Sequence, residues 1–536
     1  MNFSKRTKAP IRNFSVLLLS MMLPLFVSAQ KKPAAPSHPS APAHASAPHT
    51  NTTHTNTAHT NTAHTNTTHT NTTRTNTTRT NTTRGNTTRS TTTRSTTTTR
   101  GGTNTRGGNT RTTTTRTTTT RTTGGGRSET RANGSVHNFN SRGVRTSVRT
   151  RSGAEGHFNS RGRVTSIHAH GMTINHGAHG ATRFESNRNG VRLVGYGHGR
   201  GYAERGYMRG GRPYMRRTYY YGGRRYAYAY RGAYWHGVAY YGYVPPYYYG
   251  RAFYGWAYNP WAAPIAWGWG WGAAPWYGYY GAYFAPAPVY ATPALWLTDY
   301  LIAANLQAAY ESRAAADAAA ANAAASAPPP DSDSGGQPAA SNGPVAMTPE
   351  VKQAIADEVK AQIQAEQQEA ANPNPPATTS TDQVPAALDP AHRTFVVSAV
   401  LNPAMADGTE CSLSPGDVLT RIQDTPDANQ NVTVLVSSSQ NGDCASGSQV
   451  PVAVQDLQDM QNDFRAKIDD GLSQMAANQG KNGMPAGPAA TKTASPDGQV
   501  QADLTVGDQL KDQQAQADQT EQEVKQASSG SSGGND

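Results

Sequence analysis

The hydrophobic positions of this chain sit in a few short patches between long polar tracts. Runs at 144–148, 164–168, 172–174, 182–185 and 191–194 alternate with the period of a half-buried strand, and Gly and Asn lie between them. HNFNSRG at 137–143 recurs as HFNSRG at 157–162. These features predict β-hairpins over 134–210, a marginal sheet because few apolar residues support it. Beyond it, 295–326 is Ala-rich and helical, with Leu295, Tyr300, Leu301 and Leu306 on its apolar side. Thr348-Pro349-Glu350 then supplies a cap, a proline suited to a first helical turn and an acid. Val351, Ile355, Val359 and Ile363 recur every four residues, so 348–371 reads as an amphipathic helix whose narrow stripe suits one partner helix. Strand-like runs at 395–401, 411–413, 418–422, 432–436 and 450–454 are punctuated by turns at 414–417 and 440–443. Leu457, Met460, Phe464, Ile468, Leu472 and Met475 mark a closing helix. The stretch 391–476 is thus expected to be a small C-terminal α+β unit, a short-stranded barrel or sandwich with a terminal helix.

Elsewhere no period emerges. From Asn51 a five-residue repeat carries a cation once every five residues, at His54, His59, His64 and His69 and then from Arg74 onward. Five matches neither helix nor strand, and nothing apolar is available to bury. The expectation is a disordered Thr/Asn/His/Arg stalk over 30–133, a low-complexity Tyr/Trp/Gly/Pro segment over 211–294, linkers at 327–347 and 372–390, and a disordered acidic tail at 477–536. The fold class that follows is a mostly disordered, low-complexity chain with a small C-terminal α+β unit, isolated helices and marginal hairpins.

Composition sharpens this picture at three points. All 26 tyrosines and all eight tryptophans lie between Tyr196 and Tyr310. Rings so crowded, and mixed with Gly and Arg, suggest an adhesive segment in which Trp256, Trp261, Trp267, Trp269, Trp271 and Trp276 stack on a surface or on one another. Charge is divided too: residues 1–298 carry 37 Lys/Arg against four acids, and residues 299–536 carry 11 against 31. A chain so divided can bind polyanions, pair with itself or simply stay soluble. Finally, a basic start, an apolar run at 15–27 and Val27-Ser28-Ala29 read as a signal peptide cleaved after Ala29, which places the protein in the periplasm, at the cell surface or outside the cell. Pro24 and the later prolines leave no run long enough for a transmembrane span. In that setting Cys411 and Cys444 favour a disulfide over free thiols.

FYGWAYNPWAAP (253–264), WYGYYGAYFAPAPVY (276–290), WLTDYLIAANLQAAY (296–310) and TPEVKQAIADEVKAQI (348–363) resemble a group of uncharacterised secreted bacterial proteins. These share an aromatic Gly/Pro segment, an Ala-rich helix, a second helix and a two-Cys β unit. The resemblance spans roughly 196–476 and implies an exported envelope or extracellular protein; it carries no activity and no functional residue.

Candidate chemistry is sparse. His168, His170, His176 and His179 form the best metal candidate, with His168 and His170 on one face of a strand, though they fall short of zinc-type Cys/His spacing. No nucleophile elbow, phosphate loop or HExxH motif occurs, so the chain reads as non-enzymatic and without a cofactor. The preferred function is a secreted structural or adhesive protein. Its basic stalk and aromatic segment would bind anionic surface polymers or polysaccharide, and self-association is a further outcome. The alternative is a binding module whose C-terminal β unit recognises a specific envelope partner, with the N-terminal half as a tether.

Overall fold

The hairpins expected over 134–210 do form, but as the middle of something much larger. The computed structural model describes residues 89–99, 111–121, 125–177, 180–325, 345–373, 383–440 and 443–529, all within the unit Thr83–Asp536. The leader with its cleavage point after Ala29, the repeats before 89 and His179 lie outside them.

The first strands are β1 (Arg89–Thr99), β2 (Arg111–Arg121), β3 (Arg127–Thr130), β4 (Val136–Phe139), β5 (Arg145–Arg149), β6 (Glu155–Phe158) and β7 (Val164–Ala169). They continue as β8 (Met172–His176), β9 (Thr182–Arg188), β10 (Val191–Gly195), β11 (Gly201–Arg209), β12 (Arg212–Tyr221), β13 (Arg224–Trp235) and β14 (Val238–Val244). All 14 form one antiparallel sheet whose strand order is the chain order. The repeated sequence motif explains how it is wound. Asn140 Oδ1 accepts the N–H groups of Arg142 and Val144 at 3.1 and 3.0 Å, and Asn159 Oδ1 accepts those of Arg161 and Arg163, both at 3.0 Å. Gly143 and Gly162 then close each turn at φ +80° and +78°, a conformation that a side chain would strain.

The C-terminal half covers this sheet on both faces. On one face lies α6 (Val506–Ser529), drawn from the tail that the sequence marks as disordered. This polar helix has Val506, Leu510, Ala517 and Val524 at 0% exposure. They pack on Ala203 and on Ile167, Ala169, Met172, Ile174 and Phe184 of the strands. The approach is close: a Cβ added at Gly156 would lie 2.5 Å from Val524 Cγ1. On the other face lies α5 (Val454–Asn478), the closing helix of the expected α+β unit. Asn462 of α5 accepts the N–H of Tyr243 at 2.8 Å and donates to the carbonyl of Tyr241 at 2.8 Å. These are backbone groups of the edge strand β14, which the amide covers.

The unit that carries α5 is a four-stranded sheet of β16 (Thr394–Val396), β17 (Val418–Arg421), β18 (Asn431–Ser438) and β19 (Gln449–Ala453). Cys411 and Cys444 are bridged, as expected. A third, two-stranded sheet pairs β15 (Tyr247–Tyr249) with β20 (Lys492–Ala494). Between these sheets pack α1 (Arg251–Tyr258), α2 (Pro275–Tyr280), α3 (Pro293–Ala325) and α4 (Pro349–Ala371). Thr348 caps α4 as expected, its hydroxyl accepting from Val351 N–H at 3.4 Å.

The fold class read from the sequence is therefore corrected. The described chain is not mostly disordered with isolated helices around a small C-terminal unit. It is a large antiparallel sheet, two small sheets and helices packed into shared cores. The aromatic segment at 211–294 supplies β12 to β14 and much of the largest core. Within the stalk, 89–99, 111–121 and 127–130 are strands, because Thr is β-branched and pairs across a ladder without needing an apolar period. The helix 295–326 is likewise not isolated: Trp296, Leu297, Leu301 and Leu306 are buried against α4, α5 and the aromatic rings.

The six tryptophans expected to be adhesive lie in this core or against it. Trp261 and Trp276 are buried, and Trp256, Trp267, Trp269 and Trp271 are half-buried. Trp269 stacks on Trp271 at 4.3 Å and on Trp296 at 4.7 Å, and its indole N–H donates to Tyr290 Oη at 2.6 Å. Trp261→Ala should accordingly destabilise the fold by about 3–5 kcal/mol in denaturant titration. An effect under about 0.5 kcal/mol, normal for a surface ring, would contradict this packing.

Candidate functional site

Two features stand out where the halves meet, one of ion pairs and one of metal-type ligands. The first begins with cross-strand register. Arg192 on β10 is opposite Glu204 on β11, which is opposite Arg217 on β12, so three charged side chains line up on the α5 face. Arg217 Nη2 lies 2.5 Å from Glu204 Oε1 and 2.6 Å from Asp459 Oδ1 of α5. Arg192 reaches Glu204 at 3.1 Å, Asp459 at 2.8 Å and Glu185 at 2.6 Å. Arg183 extends the chain to Glu185 at 2.6 Å and to Asp456 of α5 at 3.4 Å. Arg217 and Glu204 are each 3% exposed, and the Arg217 guanidinium sits 4.3 Å over the Tyr202 ring and 4.6 Å over that of Tyr230. Every charge has a partner of opposite sign, the condition under which buried ions are tolerated.

The α6 face repeats the device. Asp503 meets Arg205 at 2.6 Å and Arg216 at 3.7 Å, and its backbone N–H donates to Thr218 Oγ1 at 3.0 Å. Asp497 meets Arg231 at 3.0 Å and accepts from Tyr214 Oη at 2.5 Å. Acids of the C-terminal half thus meet Arg183, Arg192, Arg205, Arg209, Arg216, Arg217 and Arg231 of β9 to β13. Upstream, residues 30–182 hold 20 Lys/Arg against Glu129 and Glu155, and of these Arg142 meets Asp407 at 3.7 Å and Arg161 meets Asp443 at 3.5 Å. At the β1 end of the sheet the register sets Arg94 opposite Arg116 and Arg89 opposite Arg121.

The second feature lies on the α5 face at β6 and β7. His157 and Glu155 alternate onto the same side as Ser166 and His168 of the neighbouring strand. An irregularity there brings Thr165 round as well, and both hydroxyls hold Glu410: Thr165 Oγ1 donates at 2.8 Å and Ser166 Oγ at 2.9 Å. His157 Nδ1 is 3.9 Å from Glu410 Oε1, while its Nε2 is 4.0 Å from Glu155 Oε1. The His157 and His168 rings meet edge-on at 5.4 Å.

Of the histidines read as metal candidates, only His168 is in this group. His170 sits in the β7–β8 turn at φ +52°, and His176 faces the other side of the sheet, 3.6 Å from Glu521 of α6. His157 and Glu410 were missed. The alternation Glu155-Gly156-His157 beside His168 was a usable signal for the first; nothing local pointed to Glu410.

No protein-family model, curated protein or solved structure matches the chain. Function must therefore be read from geometry. Among the described residues no helix is long and apolar enough to cross a membrane.

The ion pairs set a pH dependence. Burial disfavours the charged form of Asp459, but Arg192 and Arg217 outweigh it and hold its carboxyl well below the usual range. Asp503 is likewise held down to about 2, where hydrogen bonds from Thr505 and the charge of Arg205 outweigh partial burial. A depressed carboxyl contributes stability that is present above its unfolded pKa of about 4 and lost as pH falls through the folded value. Glu366 and Asp469, buried together beside Tyr254 and Tyr243, have raised pKa values, first through desolvation, and act with the opposite sign. Asp459→Asn should cost about 3–5 kcal/mol at pH 7 and flatten the loss of stability below about pH 4. Equal acid sensitivity of the variant and the parent chain would refute the assignment.

Proposed function

We propose that the protein is a non-enzymatic component of the bacterial envelope or extracellular matrix that binds anionic polymers through its Thr/Arg-rich N-terminal region. Export rests on the leader-like residues 1–29 and remains part of the proposal. The observation that carries the reading is the uneven use of charge. Arg183, Arg192, Arg205, Arg217 and Arg231 meet Asp456, Asp459, Asp497 or Asp503, and Arg142 and Arg161 meet Asp407 and Asp443, whereas residues 30–124 carry 12 Lys/Arg and no acid of their own. Like charges set directly across a ladder are destabilising, by roughly 0.2–1 kcal/mol per pair. A bound polyanion would supply counter-charge to this arginine-rich region. Sheet and packed cores then serve as a rigid mount for a cationic arm.

This reading shifts the weight of adhesion from rings to arginines, since no tryptophan is among the exposed residues. It also disfavours a separately tethered C-terminal module. Asn402 donates to the Thr165 carbonyl at 2.6 Å, and Glu410 is held by Thr165 and Ser166, so the unit is bonded to the sheet.

The test is retention of the full chain on dextran sulfate against neutral dextran over a salt series. Retention should be specific to the sulfated polymer and vanish near about 1 M salt, where screening is nearly complete. Replacing Arg89, Arg94, Arg111, Arg116 and Arg121 with Gln should move elution to lower salt and leave the far-UV spectrum unchanged. Retention at about 1 M salt, or an unchanged elution point for the Gln variant, would overturn the proposal.

A further inference from the structure

We propose that His157, His168 and Glu410 form a binding site for a divalent transition-metal ion, with zinc as the representative occupant. Their ligand atoms, two imidazole nitrogens and a carboxylate oxygen, all lie within 4.8 Å of one another. Metal bonds of about 2.1 Å in a tetrahedral site place donors roughly 3.4 Å apart. Small rotations of His157, which is half-buried, and His168, which is exposed, close that gap. Two imidazoles and one carboxylate suit zinc, nickel, cobalt or copper, and are too poor in oxygen for calcium or magnesium.

The surroundings argue for a prepared site as much as the ligands do. Thr173 Oγ1 is 3.2 Å from His168 Nδ1, which leaves Nε2 as the free donor. The His157 ring lies between two carboxylates, with Glu155 Oε1 4.0 Å from Nε2 and Glu410 Oε1 3.9 Å from Nδ1. The hydroxyls of Thr165 and Ser166 fix both Glu410 oxygens. Each ligand thus has a neighbour that orients it, the arrangement that metal sites use to fix tautomer and direction. The exposure of His168 gives an ion a path in and leaves a coordination position for water or an outside ligand. Two ligands come from the sheet and one from the C-terminal half, so a bound ion would join the two.

The test is titration of the full chain with Co2+, read by its visible d–d absorption, followed by displacement with Zn2+. The chain should develop one equivalent of an intense low-coordination band, and Zn2+ should abolish it. His168→Ala, a change at an exposed position, should remove the band while the far-UV spectrum stays the same. Thr173→Val should weaken Co2+ binding by about 10-fold, the lower end of outer-shell effects. His170→Ala, two residues away in the turn, should change nothing. Absence of the band, its persistence in His168→Ala, or equal loss in His170→Ala would each overturn the site; the last would show diffuse binding by the many other histidines.

Discussion

The fold depends on the pairing of the sheet arginines Arg217 and Arg192 with Glu204 of β11 and with Asp459 of the C-terminal half. Taken alone, β9 to β13 would bury cations with too few anions among them. Taken alone, α5 would bury Asp456 and Asp459 without counter-charges. Either arrangement is prohibitive, since an unpaired buried ion costs several kcal/mol. Together they neutralise one another, and the geometry that does so also fixes which face of the sheet meets which helix. The opposite charges of the two halves of the chain thus meet in part within the fold.

This constraint explains why the aromatic window belongs to the structure. Tyr202 and Tyr230 lie under the Arg217 guanidinium, so rings supply the apolar walls that the ion pairs need. Tyrosine can do this and still place its hydroxyl on a polar partner, as Tyr243 does with Asp469 at 2.7 Å. Farther along, the tryptophans around Trp296 fill the space between α3 and the loops before it, a volume that smaller side chains would leave open.

Parts of this were legible in the sequence and parts were hidden for physical reasons. The Asn-Ser-Arg-Gly turns, the Thr348 cap, the Cys411–Cys444 pair and the α5 stripe each have a local cause, and each appears. Strands β12 to β14 were obscured because Tyr serves on both faces and because a buried arginine such as Arg217 reads as solvent-facing. Helix α6 was obscured because its four buried apolar residues, spread through a polar stretch, look like noise until a sheet face is there to receive them. The Thr/Arg strands show that a period of five excludes an amphipathic strand, not a strand. In the His/Glu cluster, His168 could be read from alternation, whereas Glu410 arrives through tertiary packing that no spacing records.

The most direct test of this account is hydrogen exchange on the full chain, comparing amides of β11 to β13 with those of α5. If the ion pairs join the two, both regions open with one shared free energy, and Asp459→Asn lowers protection in both by the same amount. Unchanged protection of α5 beside a sheet that exchanges like free peptide would contradict it.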